Sequence, residues 1–311
     1  MARASAARSH HLRYRTPNLP ELPDIDHYIE RLDERIRGQS LQHIRIGNPF
    51  FVRSYEPPLS TAEGRRVLAL RRIGKRIAIG SEGDLWLLIH LMVAGRLKWR
   101  EEQVTLKGKQ QLAALEFTSG TLLITEAGTR KRASLYLLDG EESLNAHDPG
   151  GLEPLTCRLD EFTERLNRGN HTLKRALTDP HLFSGIGNAY SDEILHAARL
   201  SPVTLTHKLD DEARQVLFDT TQRVLNDWSE RLRKESPNEF PEKVTAFRKE
   251  MSVHGRFGKP CPVCSAPVQR IRYKSNETNY CAKCQTGGKI LADRSLSRLL
   301  KQDWPKSIDE L

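Results

Sequence analysis

The 311-residue chain has no apolar run approaching the ~18 residues that a membrane span requires, which excludes a helical integral membrane protein. It also lacks internal repeats and low-complexity tracts. With 38% hydrophobic and 29% charged residues, it has the balance of a soluble globular protein rather than a disordered one. Cysteine is scarce. Of the five, Cys157 stands alone, while Cys261, Cys264, Cys281 and Cys284 cluster near the C-terminus with no secretory segment in front. That usage excludes a disulfide framework and points to a metal in a reducing compartment. Acidic residues are missing from positions 1–19, which carry four Arg among Ala, Ser and His. This stretch reads as a disordered extension, or a start placed too far upstream, in preference to an organellar presequence.

What is present is an uneven charge. The formal total is +9, of which residues 1–19 hold +4 and residues 254–289 hold +6, while 20–253 carry −1 and 290–311 are neutral. A polyanionic partner is therefore expected at one end of the chain rather than over the whole surface.

The pattern of elements divides the chain. Ile25, Tyr28, Ile29, Leu32 and Ile36 repeat at helical spacing, with Asp24 as the expected N-cap and Gly38 as the stop. Residues 41–138 carry short β-rich runs (66–73, 76–79, 85–91, 121–125) punctuated by glycine, which predicts an antiparallel sandwich or barrel with Lys75 at a hairpin tip. After the break at Asp148-Pro149-Gly150-Gly151, helical patterns follow at 159–166, 173–177, 189–198 and 209–232. The fold class is α+β, with expected units at 20–150, 151–250 and 251–289, an extension at 1–19 and a tail at 290–311. In the tail, Leu291, Leu296, Leu299 and Leu300 predict an amphipathic helix docked on the body.

Two CxxC pairs, Cys261/Cys264 and Cys281/Cys284, stand 16 residues apart. Each pair lets two thiolates converge on one ion from a tight turn, so one structural Zn2+ held by four cysteines is expected. Strands at 268–273 and 279–281 would flank a polar tip, and the metal would supply the folding free energy of so small a unit. Its crowded cations, Arg270, Arg272 and Lys274 among them, suit phosphate contact. The scattered histidines show no metal-ligand spacing. Between two helical patterns, Gly185-Ile186-Gly187-Asn188 lets the backbone turn tightly and aims helix N–H groups at an anion, which is a phosphate grip or a plain helix-helix turn.

These features occur in a specific order. Pro20-Glu21-Leu22-Pro23-Asp24 before a helix, the Gly74-Lys75 hairpin 55 residues after Pro20, the Gly185 to Tyr190 turn with Glu193, and the terminal CxxC pairs resemble the formamidopyrimidine-DNA glycosylase/endonuclease VIII family over residues 20 to about 286. The resemblance implies a β-sandwich catalytic domain, a helix-two-turns-helix domain and a zinc β-hairpin finger, with damaged double-stranded DNA between them. It implies a cytoplasmic, nucleoid-associated monomer of bacterial type that is a base-excision DNA glycosylase and AP lyase. Pro20 would act as an N-terminal amine nucleophile, Glu21 as proton shuttle and Lys75 as a phosphate holder. Asn188, with Gly185 and Gly187, would grip phosphate, while Glu193 either supports the turn or pairs within the domain.

Three departures bear on specificity. Asn276 stands where the family has a finger arginine, five residues before Cys281, so Arg270, Arg272 or Lys274 would compensate. Met92-Val93 replaces the family's Gly-Met, making Met92 either an intercalating wedge or a core residue. Arg130-Lys131-Arg132 occupies the second void-filling segment, where Arg130 and Arg132 would meet DNA or form an exposed turn. Residues 1–19 convert Pro20 into an imide, so the chemistry requires a mature chain beginning at Pro20. Leu19 has codons that bacteria also use as starts. Two further functions stay open: a non-catalytic DNA-binding member of the fold, and a glycosylase for bulky or cross-linked adducts.

Overall fold

The computed structural model describes residues 19–242, 244–245, 248–273, 276–293 and 305–310, with the backbone alone at 273 and 276. Residues 1–18 of the expected extension, Lys274, the Asn276 side chain, Leu296, Leu299 and Leu300 lie outside the described residues.

The first helix, α1 (Leu22–Ile36), starts three residues earlier than the periodicity predicts. Pro23 is tolerated in a first helical turn, and Glu21 rather than Asp24 is the N-cap. Asp24, one turn in, accepts from the Glu21 N–H at 3.1 Å. Ile25, Tyr28, Leu32 and Ile36 are fully buried against the first core, contributing roughly 1.5–3 kcal/mol each. Leu22 turns instead into the helical core, so α1 joins the two units.

The β-rich region forms two four-stranded antiparallel sheets. One has the order β1 (Leu41–Ile46), β6 (Gln111–Phe117), β7 (Gly120–Glu126), β5 (Gly95–Arg100). The other runs β2 (Val67–Ile73), β3 (Arg76–Ser81), β4 (Leu85–His90), β8 (Ser134–Asp139). Inward residues such as Ile77, Leu87, Leu115 and Ile124 fill the space between them. Ile73 pairs with Arg76, leaving Gly74-Lys75 as a two-residue turn with Gly74 at φ +59°, a conformation that glycine adopts without strain.

Beyond the short α2 (Gly140–Asn145), helices α3 (Leu159–Leu166), α4 (Leu173–Thr178), α5 (Asn188–Ala197) and α6 (Asp211–Glu235) enclose a separate core around Phe162, Phe183, Tyr190 and Leu225. Asp210 caps α6 by accepting from Ala213 N at 2.8 Å. The hairpin β9 (Gln269–Tyr273), β10 (Asn276–Tyr280) and the one-turn α7 (Ala282–Thr286) form the cysteine module. Ile290 and Ile308 pack with Ile271 and Tyr280, so the described part of the tail docks on that module. Among the described residues, no helix is long and apolar enough to cross a membrane.

Candidate nucleic-acid interface and metal centre

The N-terminus of α5 is where the two larger units meet. The Glu21 carboxylate, 1% exposed, accepts from the N–H groups of Gly187 (2.7 Å), Ala189 (2.8 Å) and Tyr190 (3.1 Å). A helix N-terminus suits an anion, and here the anion is a side chain of the same protein. This corrects the reading of the turn as a phosphate grip, because three of its N–H groups are committed to Glu21. Both glycines are required by closeness: a Cβ on Gly187 would lie 2.5 Å from Glu21 Cδ, and one on Gly185 2.8 Å from Leu22 Cβ. The Asn188 side chain is half-buried and has no hydrogen-bond partner among the described residues. Pro20, next to Glu21, is buried.

Lys75 reaches this place from the β2–β3 turn. It is half-buried and without a hydrogen-bonded or ion-paired partner among the described residues. Burial pushes its ammonium below the usual lysine range; Glu21 counteracts this and Lys174 adds to it. The turn is anchored by Arg72, which sequence reasoning missed. Its guanidinium joins Asp26 (2.7 Å), Glu153 (2.5 Å), Ser184 Oγ (3.1 Å) and Gly74 O (3.0 Å). Lys174 was missed as well; its Nζ donates to Asn188 O (2.6 Å) and Ser191 Oγ (2.8 Å) and pairs with Asp192. The chain separation of these partners leaves no local signal to find them by.

On the sandwich, Met92 lies in the β4–β5 turn, half-exposed, with φ +50°. A side chain in that left-handed region costs of order 1–3 kcal/mol and persists where the surroundings dictate it. The adjoining turn touches this one through Ala127 N to Ala94 O at 3.4 Å. Buried Glu126 shapes it by accepting from Arg132 N (3.0 Å) and Ala133 N (3.3 Å). Arg130 and Arg132 project to solvent from it. The candidates Met92, Arg130 and Arg132 thus belong to one neighbouring pair of turns.

Behind the α1 start opens a cavity of about 650 Å³, whose walls include Asp24, His27, Trp99, Phe240 and Arg248. Burial pushes the Asp24 carboxyl up to about 6, with Arg248 pulling it back from 3.4 Å. Burial likewise holds His27 down, at about 4, and neither ring nitrogen has a partner among the described residues.

In the cysteine module, Cys264 Sγ lies 3.3 Å from Cys281 Sγ, and Cys261 Sγ lies 3.9 Å from Cys284 Sγ. Sulfurs ~3.8 Å apart are what a tetrahedral zinc with ~2.3 Å bonds requires, so the four cysteines fit one ion. Bound there, zinc would supply folding free energy to a module whose apolar clusters are small, one around Val253 and Val268 and one around Ile271 and Tyr280. Helix α5 holds the module in place. Glu193 accepts from the N–H groups of Ser252 (2.7 Å), Val253 and His254 (2.9 Å each), and Asp192 accepts from His254 Nδ1 (2.7 Å) and Asn279 N (3.1 Å). Burial raises the Glu193 carboxyl above the usual range against those three donors. Of the finger cations, Arg270 stacks 4.0 Å over the Phe257 ring and pairs with Glu277 at 3.5 Å. Arg272 is exposed on the same strand face, two residues on. His196 was passed over in the sequence for want of ligand spacing, yet its Nε2 lies 3.3 Å from Cys261 Sγ.

Three family models match in succession. They describe the formamidopyrimidine-DNA glycosylase N-terminal domain over residues 19–134, its H2TH domain over 151–234, and the zinc finger found in FPG and IleRS over 258–287. A formamidopyrimidine-DNA glycosylase of Heliobacterium modesticaldum is 29% identical over 280 residues, covering 86% of this chain and all of its own. An uncharacterized formamidopyrimidine-DNA glycosylase-like protein of Mycobacterium tuberculosis is 38% identical over 151 residues, 49% of this chain and 94% of its own. Among solved structures, the MutM (Fpg) protein of Thermus thermophilus superposes with a TM-score of 0.71 at 28% identity, covering 86% of this chain and 98% of that one. The Lactococcus lactis enzyme non-covalently bound to DNA containing an AP site gives 0.74 at 25%, covering 86% and 99%.

Proposed function

This chain belongs to the formamidopyrimidine-DNA glycosylase family, and from that premise we propose that Pro20, as a free N-terminal amine, is the nucleophile of a base-excision DNA glycosylase and AP lyase acting on damaged duplex DNA. The observation that carries this reading is the convergence beside Pro20 of a fixed carboxylate, Glu21, and an ammonium, Lys75, that is unpaired among the described residues.

The secondary amine, with a reference pKa near ~8, has a neutral fraction at pH 7. Its lone pair attacks C1′ of the damaged nucleotide; the glycosidic bond breaks with its electrons going to the base, which takes up a proton. Opening of the sugar breaks C1′–O4′, with O4′ leaving as a hydroxyl on the proton that the amine sheds through Glu21, and leaves an iminium between Pro20 and C1′. Loss of a proton from C2′ expels the 3′ phosphate, and loss of a proton from C4′ then expels the 5′ phosphate. Glu21 Oε1 accepts a single backbone hydrogen bond, which leaves a lone pair to receive a proton beside the amine. Lys75 holds a phosphate next to the lesion, and Asn188 a neighbouring one. The nucleotide must leave the stack to be reached. Met92, Arg130 and Arg132 fill or border the gap it leaves. Exposed Arg272 takes up phosphate contact on the finger, with Lys274 and Asn276 as further candidates and Arg270 stiffening the strand.

A free amine requires that residues 1–19 be absent from the acting form; the family's N-terminal domain matches from residue 19. Borohydride trapping on an abasic-site duplex tests the mechanism. Protein beginning at Pro20 is expected to form a covalent adduct that vanishes in protein retaining residues 1–19, whose Pro20 nitrogen is acylated, and that is weakened in Pro20→Gly, whose N-terminus is still an amine. Absence of an adduct from the form beginning at Pro20 refutes the lyase and leaves a DNA-binding member of the fold.

A further inference from the structure

Helix α5 ends in a side chain that neither the DNA-facing residues nor the cysteine motif accounts for. His196 is 4% exposed, and its Nε2 approaches Cys261 Sγ to 3.3 Å across 65 residues of sequence. Its ring nitrogen and the sulfurs of Cys261, Cys281 and Cys284 all lie within 4.8 Å of one another. Two roles fit that closeness: a ligand displacing Cys264, or a donor to a sulfur that is already a ligand. Cys264 is outside that group of four, yet its Sγ stands 3.3 Å from Cys281 Sγ and the matched zinc finger spans both CxxC pairs, so four sulfurs complete a tetrahedron and leave no coordination position for nitrogen. A metal-bound thiolate retains negative charge and accepts N–H donors, as Cys261 Sγ does from Val263 N at 3.4 Å.

We propose that His196 is a positioning residue of the metal centre, donating its Nε2–H to the zinc-bound thiolate of Cys261 and fastening the loaded finger to α5. The same ten-residue helix, about 15 Å long, presents at its other end the N–H groups that seat Glu21. Between the two ends, Asp192 and Glu193 hold backbone of the finger and of the segment leading into it. The helix therefore links metal loading to the placement of the carboxylate beside Pro20. Cysteine spacing alone would let the finger fold around its ion; His196 is what registers that ion on the helical unit.

The test reads the metal and does not depend on base excision. In the full zinc-loaded chain, zinc transfer to a chromogenic chelator is compared for wild type, His196→Phe, which fills the space without a donor, and His196→Gln, which keeps an N–H. Removing an outer partner of a metal ligand typically costs 10–100-fold in affinity, so His196→Phe is expected to lose zinc at 10–100 times lower chelator concentration, with His196→Gln near wild type. Cobalt(II)-substituted forms of all three are expected to show the same four-sulfur charge-transfer and ligand-field bands. Unchanged zinc retention in His196→Phe overturns the proposal. So does a change of the cobalt bands on losing His196, which would make it a ligand. Should His196→Phe not fold, His196→Asn, whose amide is too short to reach the sulfur, takes its place with the same expectations.

Discussion

At the scale of single residues, the groups around Pro20 are distinguished by how little water reaches them. Asp24 is buried beside Arg248, and its carboxyl is pushed up to about 6 from an ordinary 3.8. A carboxyl whose folded pKa lies above its unfolded value stabilises the fold fully below about pH 3.8, and that contribution is lost as pH rises through 6. Asp24→Asn cannot ionise, so its stability relative to wild type should improve between pH 4 and pH 8, by up to about 3 kcal/mol for a shift of this size. Urea unfolding of both proteins at the two pH values measures it; other titrating groups, His27 included, are common to both and cancel. A stability difference independent of pH would show that Asp24 ionises in the fold as freely as in water.

At the scale of elements, α5 does most of the joining, and its first turn is built on close approach. Gly187 has extended backbone, φ −132°, that any residue adopts, so its requirement for glycine is purely spatial. The Cβ of Gly187→Ala would meet Glu21 Cδ at 2.5 Å, where overpacking typically costs about 1–3 kcal/mol. A lowered melting temperature and a loss of borohydride-trapped adduct are expected together, since the clash displaces the carboxylate next to Pro20. A variant that melts lower yet traps normally would separate Glu21 placement from the chemistry.

The legibility of these elements follows from how local their causes are. The Gly74-Lys75 turn and the CxxC pairs are specified within a few residues and could be read directly. Strand β6, Gln111–Phe117, was not singled out: its Leu-Ala-Ala-Leu centre is made of helix formers, and pairing with β1 and β7 overrides that preference. Strand β5, with Arg and Lys alternating beside Leu97 and Trp99, depends likewise on its partner β7. In the site, the pairing of Glu21 with α5 spans 166 residues and that of His196 with Cys261 spans 65, so neither leaves a trace in local pattern.

At the scale of the whole molecule, two independent cores and a metal-held finger meet along α1 and α5, and the +6 of residues 254–289 sits on the smallest unit. The sandwich core draws on α1 and both sheets and includes none of the cysteine ligands. Removing zinc should therefore unfold the finger and leave the sandwich intact. Phosphate contacts dominate affinity for duplex DNA, so losing the finger's cationic platform should weaken binding far more than it weakens the fold. The expected outcome of chelation is a loss of duplex binding by fluorescence anisotropy, with the β-sheet circular dichroism and the buried Trp86 environment retained. The charge on the finger also sets a control: at high salt, intact protein should lose affinity in the same manner, because exposed cations such as Arg272 act through released counterions. Undiminished low-salt binding after zinc removal would place the DNA contacts on the sandwich and α5 alone, and would reduce the finger to a structural appendage of α5.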